Sequence, residues 1–121
     1  MQILLPELNE GEINAGLMMG LDGKPTHWVI LLPGDKEDGN WQDATDWAKE
    51  QGGELPTRNE QSLLFANTKP EFKRDWYWSG ETHAENSEWA WYQYFNDGYQ
   101  LTSRKSRGYC RARAVRRISV I

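Results

Sequence analysis

Residues 71–100 read EFKRDWYWSGETHAENSEWAWYQYFNDGYQ and contain no Leu, Ile, Val or Met. Their apolar content is aromatic: Phe72, Trp76, Tyr77, Trp78, Trp89, Trp91, Tyr92, Tyr94, Phe95 and Tyr99, with Ala84 and Ala90 besides. A folded domain has to bury something from so long a stretch, so rings must supply core here and leave some over for the surface. Within it, residues 88–95 alternate as a strand does, with Trp89, Trp91, Gln93 and Phe95 on one face and Ala90, Tyr92 and Tyr94 on the other. Asn96-Asp97-Gly98 reads as a hairpin turn, since Asn and Gly tolerate the positive φ that tight hairpins need. Residues 76–79 read as a shorter strand that stops at Gly80. Trp76, Trp78, Trp89 and Trp91 are assigned to the core, and the amphipathic Tyr92, Tyr94 and Tyr99 to the surface.

Downstream, residues 99–102 return from the hairpin and Ser106-Arg107-Gly108 turns again. Residues 109–118 form the last strand, with Cys110, Ala112 and Ala114 on one face against Arg111, Arg113 and Val115. Small inward residues there leave room for the tryptophans of neighbouring strands. Upstream lie two helices. Asn40 is an N-cap for residues 41–51, where Trp41, Ala44, Thr45 and Ala48 share a face and Gly52-Gly53 ends the helix. Thr57-Arg58-Asn59-Glu60 is a capping-box pattern opening a second helix to about Asn67, with Leu63, Leu64 and Ala66 inward. Residues 15–20 and 27–32 read as a hairpin around Gly23 and Pro25. Residues 33–40 form an acidic loop, and residues 1–11 an additional strand or a loose arm.

At 121 residues, 38% hydrophobic and 26% charged, the chain is expected to be one soluble domain spanning 1–121. No apolar run is long enough for a membrane helix, and residues 1–6 are too short and uncharged for a signal peptide. A single cysteine excludes an internal disulfide. One Cys and the distant His27 and His83 cannot make a zinc site. The net charge of −4 conceals an asymmetry: residues 101–121 hold Arg104, Lys105, Arg107, Arg111, Arg113, Arg116 and Arg117 and no acid, while Asp35, Glu37, Asp38, Asp43 and Asp46 cluster upstream. Two readings stand: internal charge complementarity, or a basic patch for an anionic partner. An acidic chain overall argues against nonspecific nucleic-acid binding.

Nothing in the sequence reads as catalytic machinery. Cys110, mid-strand among alanines, is expected to be a buried inert thiol. His27 and His83 have no Ser or Cys partner in evidence, and Gly52-Gly53 follows a helix and lacks the downstream Lys of a phosphate loop.

Five motifs in order carry a resemblance: Trp41-Gln42-Asp43-Ala44; Gly53-Glu54-Leu55-Pro56-Thr57-Arg58-Asn59-Glu60; Trp76-Tyr77-Trp78-Ser79; Ala90-Trp91-Tyr92-Gln93; and Arg111-Ala112-Arg113-Ala114-Val115-Arg116-Arg117. They span residues 41–118, and the chain resembles the Lcl C-terminal domain family of phages, prophages and bacterial surface proteins. Residues 1–34, an arm and hairpin, look like the stand-alone prophage variant. The resemblance implies an α+β, C-type-lectin-like fold: an irregular antiparallel sheet with two flanking helices, here without disulfides. Calcium-dependent sugar binding is not implied, because the calcium triplet of animal C-type lectins is missing and Phe95-Asn96-Asp97 is simply a turn. Formylglycine chemistry is not implied either, since it needs two cysteines.

The expectation is therefore a non-catalytic phage-type binding module without cofactor or metal. Its ligand, a host protein or cell-surface glycan, would meet the loop 81–88 and the hairpin residues Tyr92, Tyr94, Asn96, Asp97 and Tyr99, with Arg104, Lys105 and Arg107 beside them. Such a protein would be displayed on the virion, as a homo-oligomer. The rival expectation is an accessory factor in the host cytoplasm that inhibits a host protein, docking through its acidic half.

Overall fold

The structure, a computed structural model, describes residues 4–120. In chain order these form β1 (Ile13–Met19), β2 (Pro25–Leu31), β3 (Lys36–Gly39), α1 (Trp41–Glu50), α2 (Arg58–Thr68), a 3₁₀ turn (Lys69–Glu71), β4 (Trp76–His83), β5 (Asn86–Tyr94), β6 (Gln100–Arg104), β7 (Cys110–Ala112) and β8 (Val115–Ser119). The class is α+β, with no disulfide. Of the two readings of residues 1–11, an additional strand or an arm, no strand forms over residues 4–11, and residues 1–3 lie outside the described residues.

The strands make two sheets, ordered β1-β2-β8 and β3-β7-β4-β5-β6. All pairings are antiparallel except β4 with β7, which is parallel, so the larger sheet is mixed where an antiparallel one was expected. The hairpin β1–β2 turns through Gly23 at φ 77, as its sequence predicts. Residues 33–40 are not a plain loop, because β3 forms there and pairs with β7.

Both helices start as the sequence dictates. Asn40 Oδ1 accepts from the Asp43 N–H at 2.8 Å, and Thr57 Oγ1 from the Glu60 N–H at 3.1 Å, each with the reciprocal carboxylate bond of a capping box. α1 buries Ala44 and Ala48 and stops at Gly52, φ 86. Gly53 has a different duty: a Cβ there would sit 2.3 Å from the Val115 carbonyl oxygen. Only a glycine lets residues 53–54 press onto β8, where Glu54 and Val115 exchange two backbone bonds of 2.9 Å. On α2 Leu64 is buried, but Ala66, expected inward, is exposed. Glu60 and Gln61 are buried in its place. The Gln61 side-chain N–H donates to the Tyr77 and Trp78 carbonyls, and that of Gln93 to the Gln61 backbone carbonyl, which ties α2 to β4 and β5.

β4 is buried on both faces. Trp78 points into one core with Ala44, Ala48, Leu55, Ala90, Cys110, Ala112 and Ala114; the alanines and the cysteine provide the room an indole needs. Tyr77 points into the other core with Val29, Leu31, Leu64, Phe95 and Val115.

Two expectations about the carboxy-terminal half are overturned. Residues 109–118 are not one strand, because the chain leaves the larger sheet after Ala112 and enters the smaller at Val115. Alternation fails there: Arg113 is 7% exposed and Ala114 and Val115 are both fully buried. Arg113 anchors the crossing by donating to the Leu32 and Glu71 carbonyls and lying over Phe72. The core assignment of the rings also changes. Trp78 is fully buried and Trp76 packs against its core, but Trp89 and Trp91 are only half-buried. Tyr92, expected on the surface, is 6% exposed because Trp76 and Trp78 flank it. Trp91 is covered instead by the Arg58 guanidinium, 3.4 Å from its ring centroid, since α2 begins there with a cation and not an aliphatic side chain.

The basic final strands find acids, as the complementarity reading anticipates. Arg111 bonds Asp35 at 2.9 Å and Asp75 at 3.3 Å; Arg116 grips Glu12; Arg117 grips Glu60 and reaches Glu54 at 3.0 Å.

Candidate functional site

Helix α1 packs against β3, β4 and β7, and α2 against β1, β4 and β5, which leaves β6 with β5 as its one extensive neighbour. The outer part of the β5–β6 face that carries Tyr92 is therefore not roofed by a helix. Register places Trp76 opposite Tyr94 and Tyr92 opposite Leu101 on that face. The Trp76 indole stacks on both tyrosines, at centroid distances of 4.2 Å to Tyr92 and 4.9 Å to Tyr94. Leu101 is 52% exposed, and Tyr99 and Tyr109, at 69% and 71%, are more open still. A flat stack of rings edged by exposed apolar groups offers contact area that costs little entropy to order.

The turn between β6 and β7 brings cations to one end of this platform. Arg107 donates to the Tyr92 hydroxyl at 3.1 Å, and its guanidinium lies 5.5 Å from the Tyr92 ring and 5.9 Å from that of Tyr109. Arg104, on the opposite face of β6, lies 5.6 Å over Trp89. The Lys105 ammonium sits 4.1 Å over the Trp41 ring, and the Trp41 backbone N–H donates to the Lys105 carbonyl at 3.0 Å and so ties the turn to the start of α1. Among the described residues none of the three forms an ion pair with a carboxylate. Each contact with a ring is worth about 0.5–1 kcal/mol at an exposed site and leaves the charge unneutralised. Two open clefts flank the turn: one of about 400 Å³ between Ser87, Glu88, Arg104 and Lys105, the other of about 420 Å³ between Trp89, Thr102, Arg107 and Tyr109.

The structure thus brings together Tyr92, Tyr94 and Arg107 of the expected site, with Tyr99 across from Tyr94 through the Tyr94 N–H to Tyr99 carbonyl bond. It does not bring Asn96 and Asp97 to the cations. They occupy the turn at the far end of the β5–β6 ladder, where Asp97 accepts from the Tyr99 N–H and the Asn96 carbonyl from Lys69. The one positive φ in that turn belongs to Gly98, so Asn96 is not there for its tolerance of positive φ. Tyr92 contributes a stacked, nearly buried ring and not an exposed one. The expected loop at 81–88 is mostly strand, with β4 continuing through Gly80 to His83 and β5 starting at Asn86. Sequence reasoning passed over the half-buried Trp89 and the exposed Leu101 and Tyr109 as surface groups. For Tyr109 a signal exists: it precedes the buried Cys110, so alternation points it outward.

A third cleft, about 310 Å³, opens between Trp41, Thr45, Lys49, Glu54 and Arg117. Two of its charged walls are already engaged, since Arg117 pairs with Glu54 and Glu60. Nearby, Thr26 Oγ1, His27 and Glu60 line up at 2.9 and 2.8 Å in an order that resembles a hydrolytic triad. Glu60, however, is 1% exposed and also accepts from Arg117 and the Thr57 N–H. Burial alone would raise its carboxyl; Arg117, Thr57 and His27 instead bring it down from 4.5 to about 2. This carboxylate is a clasp between α2, β2 and β8. Burial pushes the Cys110 thiol up to about 12, far from the thiolate a nucleophile needs. Among the described residues, no three His, Cys, Asp or Glu side chains group as metal ligands do. Among the described residues no helix is long and apolar enough to cross a membrane.

No protein-family model matches the chain, and no curated protein matches it in sequence.

Proposed function

We propose that this protein is a non-catalytic binding module of the C-type-lectin-like kind, of the phage and prophage type that the Lcl C-terminal domain resemblance implies, which recognises a macromolecular partner, a cell-surface glycan or a protein. The observation that carries the reading is the union of exposed apolar groups beside the ring stack, Tyr99, Leu101 and Tyr109, with three cations held on rings and not on carboxylates. Binding surfaces concentrate aromatic and arginine side chains in this way. The family motifs have structural roles here that support the resemblance. Gly53 admits the contact with β8, Thr57 and Glu60 cap α2, and Trp78 fills a core.

The rival reading, an accessory factor docking on a host protein through acidic groups, has its own support: Asp35 is held by Arg111, but Glu37, Asp38, Asp43 and Asp46 are exposed and form no ion pair among the described residues.

The test is capture on immobilised protein from separate envelope and cytosolic fractions and from an array of surface glycans, with Tyr94→Ala and Arg104→Ala in parallel. Binding that both folded variants retain in full would remove the assigned surface. Binding that they lose would establish it.

A further inference from the structure

We infer that the free edge of β6 takes an extended acidic peptide segment as an added strand. This rests on the binding-module reading and names the class of partner: a protein strand and not a glycan.

Register identifies which backbone groups are free. The Lys105 N–H donates to the Glu88 carbonyl and the Tyr94 N–H to the Tyr99 carbonyl. With β5 and β6 paired 90 to 103 and 92 to 101, these bonds fix the hydrogen-bonded pairs of the ladder. Gln100, Thr102 and Arg104 occupy the other positions, so their N–H and C=O groups point away from β5. The Arg104 carbonyl is taken by the Arg107 N–H at 3.0 Å. The Thr102 pair and the Arg104 N–H are left facing outward.

The other sheet edges are protected in the ways that natural sheets use. β1 is broken by bulges at Asn14/Gly16 and Met18/Met19, and β3 is short with a register shift. β8 is closed at its start by the Glu54–Val115 bridge. β6 has neither bulge nor proline, and it presents Leu101 at 52% exposure. In the larger sheet it is the regular edge left uncovered.

Charge selects the occupant. Arg104, Lys105 and Arg107 stand at one end of this edge, and among the described residues none is in an ion pair. A strand carrying acids at that end and an apolar residue beside Leu101 would complete both the ladder and the charge. In strand addition the main chain supplies the affinity and alternate side chains the selectivity.

The experiment is a selection of random peptides on the immobilised full-length protein, followed by calorimetry of the selected peptides. Acid-rich peptides are expected. Thr102→Pro removes an outward N–H that β5 does not use, a substitution edge strands tolerate. It should weaken binding at least about tenfold, about 1.4 kcal/mol. N-methylating alternate peptide amides should do the same with the protein untouched, which keeps the test valid if Thr102→Pro does not fold. Arg104→Glu should weaken binding and flatten its salt dependence. The inference is overturned if no peptide is selected, if selected peptides lack acids, or if Thr102→Pro and N-methylation leave affinity unchanged. A dimer of the free protein that Thr102→Pro dissolves would assign the edge to a second copy and overturn it too. If Tyr94→Ala abolishes binding while Thr102→Pro does not, the module reading stands and the edge inference falls. If no peptide, glycan or lysate component binds, both fall.

Discussion

Arg111, Arg116 and Arg117 end on carboxylates, whereas Arg104, Lys105 and Arg107, a few residues earlier in the same basic stretch, end on aromatic rings. The first set holds the two sheets and α2 together, and its charge is neutralised inside the molecule. The second set is steadied by Trp89, Trp41, Tyr92 and Tyr109 but keeps its charge toward solvent. Composition alone makes the two sets one basic tail. The fold divides them, because β7 and β8 run beside the acidic amino-terminal segments while the β6–β7 turn lies at the edge of the aromatic sheet.

The division can be broken hardest at Glu60. Glu60→Ala leaves Arg117 and His27 without their shared buried acceptor. It is expected to lower stability toward the lower end of the about 3–5 kcal/mol typical of a broken buried pair, because Arg117 keeps Glu54. Urea titration reads this directly, and an unchanged midpoint would mean that the clasp is ornamental. The same carboxylate sets a pH dependence. Its pKa is lower folded than unfolded, so its contribution is complete above 4.5 and disappears as pH falls from 4.5 toward 2. Acid unfolding in that window should therefore flatten in Glu60→Gln.

Gly53→Ala tests how tightly the paired strand is seated. A methyl 2.3 Å from the Val115 oxygen must displace β8, at a cost of about 1–3 kcal/mol in thermal or urea unfolding. Tyr92→Phe reaches the other region. It removes the Arg107 acceptor while keeping the ring, and should cost about 0.5–1.5 kcal/mol, with the Tyr94 stack intact by near-ultraviolet circular dichroism. Arg104→Glu should be nearly silent in stability, within about 0.5 kcal/mol, while altering the salt dependence of partner binding. A large loss of stability there would show that Arg104 belongs with the structural arginines.

What the sequence discloses and what it hides follow the range of the interactions. Asn40 with Asp43 and Thr57 with Glu60 are local pairs, and both caps form as written. The hairpin at Gly23 and the turn at Gly98 are local too. The break at Arg113-Ala114 is invisible to alternation, since Cys110, Ala112 and Ala114 keep period two until the chain changes sheets. The exchange of roles between Trp91 and Tyr92 is likewise not legible, because it depends on which side of β5 receives Arg58 and which receives Trp76. At the site, the residue types were readable but their grouping was not. Tyr92, Tyr94 and Arg107 converge, while Asn96 and Asp97 go to the opposite end of one ladder.

The seat of β8 has a consequence for how the chain acquires its shape. Glu12 and Arg116 are 104 positions apart, Asp35 and Arg111 76, and the hairpin β1–β2 has only β8 as its third strand. On a ribosome, residues 13–31 would emerge early and wait until residue 119 had cleared the exit before their sheet could close. Loop closure over such distances makes for slow, late commitment. Chains stalled before Val115 should show hydrogen exchange in β1 and β2 as fast as in an isolated hairpin.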